Sequence, residues 1–148
     1  MTDDLMDDAF DLARFVTAQD AGGAYPQAVA ELRRGHKTGH WIWFVFPQIV
    51  GLGQSQMSRR FAISSIAEAR AYLSHPVLGP RLAECAGIVA GTEGVAAEQI
   101  FGRLDAQKLR SSMTLFLRAA PGEPHFGQVL SQFFGGIPDE ATDQLLAG

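Results

Sequence analysis

The chain has 148 residues, enough for one domain to bury a core without staples, and its single cysteine, Cys85, excludes an internal disulfide framework or a multi-cysteine zinc site. A net charge of −4 argues against broad phosphate-backbone affinity, so nucleic acid is not expected as a partner. The acidic start (Asp3, Asp4, Asp7, Asp8, Asp11) lacks the pattern of a signal peptide, and no apolar run approaches the roughly 20 residues of a membrane span, so a cytoplasmic protein with no membrane partner is expected.

Helical spacing runs along the chain, punctuated by turn residues. Leu5, Leu12, Phe15, Val16 and Gln19 share one stripe that Gly22-Gly23 ends. Tyr25, Ala28, Val29 and Leu32 form the next, with Pro26 in its first turn and Gly35 at the terminating position. The segment His40 to Phe46 is ambiguous, because its aromatic and β-branched content suits a strand. It is read as helical, since no partner strand is offered and a lone strand leaves its amides and carbonyls unpaired; Pro47 stops it.

Ser65 with Glu68 makes a capping box for a helix to about Ser74, and Pro76 opens another carrying Leu78, Leu82, Cys85 and Val89 that Gly91 ends. Gly51 to Gly53 and Gly87 to Gly94 read as loops or helix ends. Leu109, Ser112, Met113, Phe116 and Leu117 mark the longest stripe, begun near Asp105 and stopped by Pro121-Gly122. Phe126, Val129, Leu130, Phe133 and Phe134 precede Gly135-Gly136, and Asp139 caps a short last helix. The expectation is one all-α domain over residues 1–148, of about six to eight helices with at most an incidental strand pair. Phe15, Val29, Leu32, Leu82, Met113, Phe116 and Phe133 are its expected core.

The most unusual stretch is GHKTGHWIWFVFPQIVGLGQS, Gly35 to Ser55, which sets two histidines and a lysine against a bulky apolar run. It reads either as the most buried part of the fold or as a pocket with a polar rim and an aromatic floor. With FVTAQ (Phe15 to Gln19), YLSHPVLGPRL (Tyr72 to Leu82), IFGRLDAQKLRSSMTLF (Ile100 to Phe116) and DEATDQLL (Asp139 to Leu146), it resembles the family known as domain of unknown function 1810. The resemblance implies a bacterial, multi-helical, cytosolic domain of about this length and brings no established activity. Some members carry the label calpastatin, a calpain inhibitor. That label fits poorly, because calpastatin inhibitory regions are disordered and highly charged, whereas 47% of this chain is hydrophobic and patterned for a core.

Lys37 and Lys108 are the only lysines, the other ten basic residues being arginines. They read either as solvated surface charges or as compact ammonium groups placed to bind an anion. His36 and His40 are four apart, but a third ligand is missing and Lys37 stands where a metallopeptidase helix carries glutamate, so no metal and no cofactor is called for. His40 is the best candidate for an acid or base, histidine being the side chain that ordinarily titrates near neutrality.

Trp41, Trp43, Phe44 and Phe46 read as core, yet one helical stripe cannot hide all four rings, and a Trp beside His40 and Lys37 can stack on a flat ligand. Gln48, Gly51, Gly53 and Ser55 form a small-residue loop whose amides can accept a phosphate or carboxylate; the alternative is a tight crossover. Asp105 and Lys108 can be an ordinary intrahelical pair or part of a site, with Ser111 on the same flank. Cys85 reads as a buried thiol.

Three function classes stay open. One is a binder or enzyme whose cleft of Lys37, His40, Trp41, Trp43, Gln48, Asp105, Lys108 and Ser111 takes a small anionic, phosphate- or nucleotide-containing ligand. The second is a protein–protein interaction module with exposed aromatics, and the third a protease inhibitor. The first is favoured, because polar residues cluster beside the aromatics, and the chain is expected to be a monomer or weak homodimer. Lys37 and Lys108 on opposite faces would sink it.

Overall fold

The computed structural model describes residues 8–148; Leu5, Asp3, Asp4 and Asp7 lie outside the described residues. The elements in order are α1 (Ala13–Asp20), a 3-10 turn (Ala21–Gly23), α2 (Ala24–Arg34), α3 (Ile42–Val45), α4 (Gln56–Arg60), α5 (Ile66–Ser74), α6 (Leu78–Ala90), α7 (Ala97–Phe101), α8 (Arg103–Ala119), α9 (Pro124–Phe134) and α10 (Glu140–Ala147). Among the described residues, seven of these helices have eight or more residues; α3, α4 and α7 are single turns. The only extended pairing among them is one isolated parallel bridge between Ile49 and Ile63.

Expected caps are in place. Gly35 ends α2 in the left-handed conformation. The Ser65 hydroxyl accepts from the Glu68 amide, while the Glu68 carboxylate reaches back to Ser64 N–H and Oγ, one residue earlier than a standard capping box. Asp139 caps α10 by accepting from Thr142 N–H. Two assignments change. Gly87 lies inside α6, because the helix continues to Ala90, and α7 is a turn that no apolar stripe announces.

The long helix α8 runs through the middle of the molecule and packs on α5, α7, α9 and α10, while α6 bridges α2, α5 and α9. A chain of rings links these layers: Phe61 to Phe15 at 5.7 Å, Phe15 to Tyr72 at 5.1 Å, Tyr72 to Phe116 at 5.3 Å and Phe116 to Phe126 at 5.9 Å. Phe15, Leu32, Leu82, Met113 and Phe116 are fully buried, as expected. Val29 and Phe133 are only partly buried, since their helix faces turn toward the rim of the molecule.

The ambiguous aromatic segment resolves as one helical turn. Phe46 leaves the helix at φ −124, ψ 72, and Pro47 forbids its continuation. The backbone groups freed there are paired by side chains: Gln19 Nε2 donates to the Phe44 carbonyl at 2.7 Å and to the Tyr72 hydroxyl, and Arg81 donates to Gln19 Oε1 at 3.1 Å. Gln19 therefore owes its place on the α1 apolar stripe to a buried hydrogen-bonding duty. Phe116→Ala removes the ring that joins Tyr72 to Phe126 and should cost about 3–5 kcal/mol, read by denaturant unfolding. Unfolding like that of the parent chain would misplace the hub.

Candidate functional site

The site grows from Glu31, the residue of α2 that carries a carboxylate into a place 1% exposed. One oxygen, Oε1, accepts from Thr38 N–H at 2.8 Å, Gly39 N–H at 2.8 Å and Trp41 Nε1 at 2.9 Å; the other accepts from Gln27 Nε2 at 2.8 Å. Burial on its own raises a carboxyl pKa, but donation from Gly39, Gln27, Thr38 and Trp41 outweighs it and lowers this one to about 2. Gly39 is required here: a Cβ would sit 2.9 Å from both Gln27 Nε2 and Trp41 Cδ1. The loop after Gly35 is thereby wrapped tightly on one anion.

Wrapping the loop places Lys37. Its main-chain N–H donates to the Ile100 carbonyl at 2.7 Å, tying the loop to α7, and its Nζ donates to the Gly39 carbonyl at 2.6 Å and to Asp105 Oδ2 at 2.6 Å. Lys108, one turn further along α8, donates to the other oxygen of Asp105 at 3.2 Å. Each ammonium also lies over an indole, Lys37 at 5.0 Å from the Trp41 ring and Lys108 at 5.3 Å from the Trp43 ring. The side chains of Lys37, Asp105 and Lys108 are 5%, 20% and 25% exposed, so Lys37 is not a solvated surface charge, while Lys108 forms the intrahelical pair with Asp105 and stays partly in solvent. Two cations share one carboxylate, and the Glu31 carboxylate is a second anion on the loop that carries Lys37.

Of the sequence-derived candidates, then, Lys37, Trp41, Trp43, Asp105 and Lys108 come together. Trp41 is buried and spent on Glu31, whereas Trp43 is half-buried and its Nε1 has no acceptor among the described residues. His40 belongs to the same loop and keeps its imidazole in solvent, as does His36. The other two face elsewhere. Ser111 Oγ donates to Asp139 Oδ2 and the Gln107 carbonyl, because the buried Asp139 gathers hydroxyls from α8 and α10. Gln48 lines a cavity at the glycine loop that neither lysine borders. Cys85 is buried, its thiol pushed up to about 12, mainly by desolvation.

Sequence reasoning missed Glu31, the organiser of the loop. Its one signal was a charged residue adjacent to Leu32 and one turn before Gly35, on the inward side of an amphipathic helix.

The fold is a small helical domain that carries a two-lysine, one-aspartate cluster. The family described as Protein of unknown function (DUF1810) matches residues 9–146, and the chain belongs to it. Its structure is similar to the crystal structure of the conserved hypothetical protein Rv1873 from Mycobacterium tuberculosis, at 52% identity and a TM-score of 0.90, over 94% of this chain and 98% of that one. No curated protein matches. Among the described residues, no helix is long and apolar enough to cross a membrane.

The lowered Glu31 pKa has a pH signature. Stabilisation from a depressed carboxyl is fully present above its unfolded value near 4.5 and disappears as pH falls toward about 2. Glu31→Gln should cost on the order of 3 kcal/mol at neutral pH and flatten the acid limb of the stability profile between those values. A parallel acid limb in the variant would remove Glu31 from that role.

Proposed function

We propose that the protein binds a small anionic ligand, carrying phosphate or carboxylate, at the mouth of the Lys37–Asp105–Lys108 cluster. The observation that supports this reading best is the convergence of the chain's only two lysines, 68 and 3 residues from Asp105 in sequence, on that one carboxylate. Lys37 is engaged on both the Gly39 carbonyl and Asp105, whereas Lys108 makes one longer bond to Asp105 and keeps donor capacity for an anion. Lys108 is the more accessible ammonium of the two. The half-buried Trp43 ring offers the flat surface against which a nucleotide-like base can stack. Lys37 and Asp105 hold this arrangement, and Glu31 holds Lys37.

The competing reading, an interaction module, relied on exposed aromatics. Among the described residues the large exposed apolar side chains are Val50, Val95, Leu104, Ile137 and Leu145, with no aromatic ring in the set. That weighs toward the small ligand.

Thermal shift and calorimetry with inorganic phosphate and AMP, at fixed ionic strength, test the proposal. A stabilising shift is expected in the parent chain, weaker at higher salt, with affinity reduced about tenfold or more in Lys108→Ala, a variant that leaves Lys37 and Asp105 paired. If neither probe stabilises the parent chain, the interaction module becomes the better account.

A further inference from the structure

The glycine loop makes a second enclosure. A cavity of ≈ 300 Å³ is lined by Gln48, Ile49, Val50, Gly51, Gly53 and Gln54 on one side and Ser58, Arg59 and Ala62 on the other. Its position is fixed by the Ile49–Ile63 bridge, in which Val50 N–H donates to the Ile63 carbonyl and Ile63 N–H to the Gln48 carbonyl, both at 2.8 Å. The far wall is closed by contact: a Cβ on Gly53 would lie 2.3 Å from Ser58 Cβ and Oγ, so only glycine lets the loop and α4 meet.

Of the loop residues that line the cavity, Gly51, Gly53 and Gln54 have main-chain N–H groups that donate to no acceptor among the described residues; Leu52 and Ser55, which flank them, likewise keep free amides there. Arg59 forms no ion pair among them either; its one partner is Gln54 Oε1 at 3.4 Å. Among the described residues, no carboxylate lines the cavity. Donors with one guanidinium, in an enclosure with apolar walls of Ile49, Val50 and Ala62, are suited to an oxyanion.

We propose that the Gly51–Ser55 loop and Arg59 form a second binding site for a small oxyanion, a phosphate or carboxylate group, distinct from the lysine cluster. The guanidinium supplies charge and paired donors, the loop amides supply the remaining hydrogen bonds, and the side-chain amides of Gln48 and Gln54 complete the rim.

Titrating inorganic phosphate against the isotopically labelled full chain at constant ionic strength, balanced with sodium chloride, and following amide resonances tests this site by itself. Saturable shifts at Gly51 through Ser55 are expected, independent of any at the lysine cluster. Arg59→Ala should weaken them about tenfold or more, while Lys108→Ala should leave them intact. Arg59 is exposed, so unchanged resonances elsewhere will certify that the variant is folded. Shifts that never saturate, that are the same in Arg59→Ala, or that vanish in Lys108→Ala would overturn the proposal. The last two outcomes would assign the response to general ionic effects or to the lysine cluster.

Discussion

A single buried carboxylate does the organising in this molecule. Glu31 sits at the end of a helix where the chain must turn through Gly35 and Gly39 without regular structure, and buried amides in such a turn need acceptors. A neutral side chain could satisfy one or two of them. An ionised carboxylate accepts from two amides, an indole and a glutamine at once, and charge-assisted bonds are the strong kind. Three features are downstream of this turn: the position of the Lys37 ammonium, the hold of its main chain on α7 through Ile100, and the orientation of Trp41 against Phe46 and Phe101.

The same device recurs around the core. Glu68, 2% exposed, collects Ser64 and Arg14, and Arg14 in turn donates to the carbonyls of Arg60 and Ala62. Asp139, 7% exposed, collects Gln107, Ser111 and Thr142. Each is an acidic side chain at a helix end or boundary that gathers several donors; those of Glu31 lie within ten residues of it, whereas Glu68 and Asp139 also reach segments distant in sequence. An all-helical fold with short helices has many termini with unpaired backbone groups, and these three carboxyl side chains supply acceptors there.

Much of the fold was legible because periodic stripes and caps are local. Pro26, Gly35, Ser65, Gly135 and Asp139 act within a turn of where they stand, so their roles can be read from neighbours a few residues away. The central stripe of α8 and its burial were readable for the same reason. Less legible were the parts that depend on distant partners. Ser111 shares a flank with Lys108, but Asp139, 28 residues on, draws its hydroxyl away. Gln48 shares a phrase with Lys37, but the bridge to Ile63 takes it to another cavity. The aromatic run hinted at a strand because its composition is that of one; Gln19, 25 residues upstream, supplies the hydrogen bond that makes a single helical turn sufficient. Convergence of the two lysines was readable only as a chemical expectation, since nothing local brings Lys37 to Asp105.

The scarcity of lysine gives the cluster a practical meaning. A chain with ten arginines and two lysines offers amine-reactive reagents very few side-chain targets, and the structure grades those two sharply. Lys37, 5% exposed and bonded to both a carbonyl and a carboxylate, is shielded from acylating agents, while Lys108 presents a quarter of its side chain to solvent. Mild amine chemistry on the folded protein would therefore concentrate at one lysine side chain of known position. A dye or crosslinker attached there would stand beside Trp43, whose fluorescence it could quench or report.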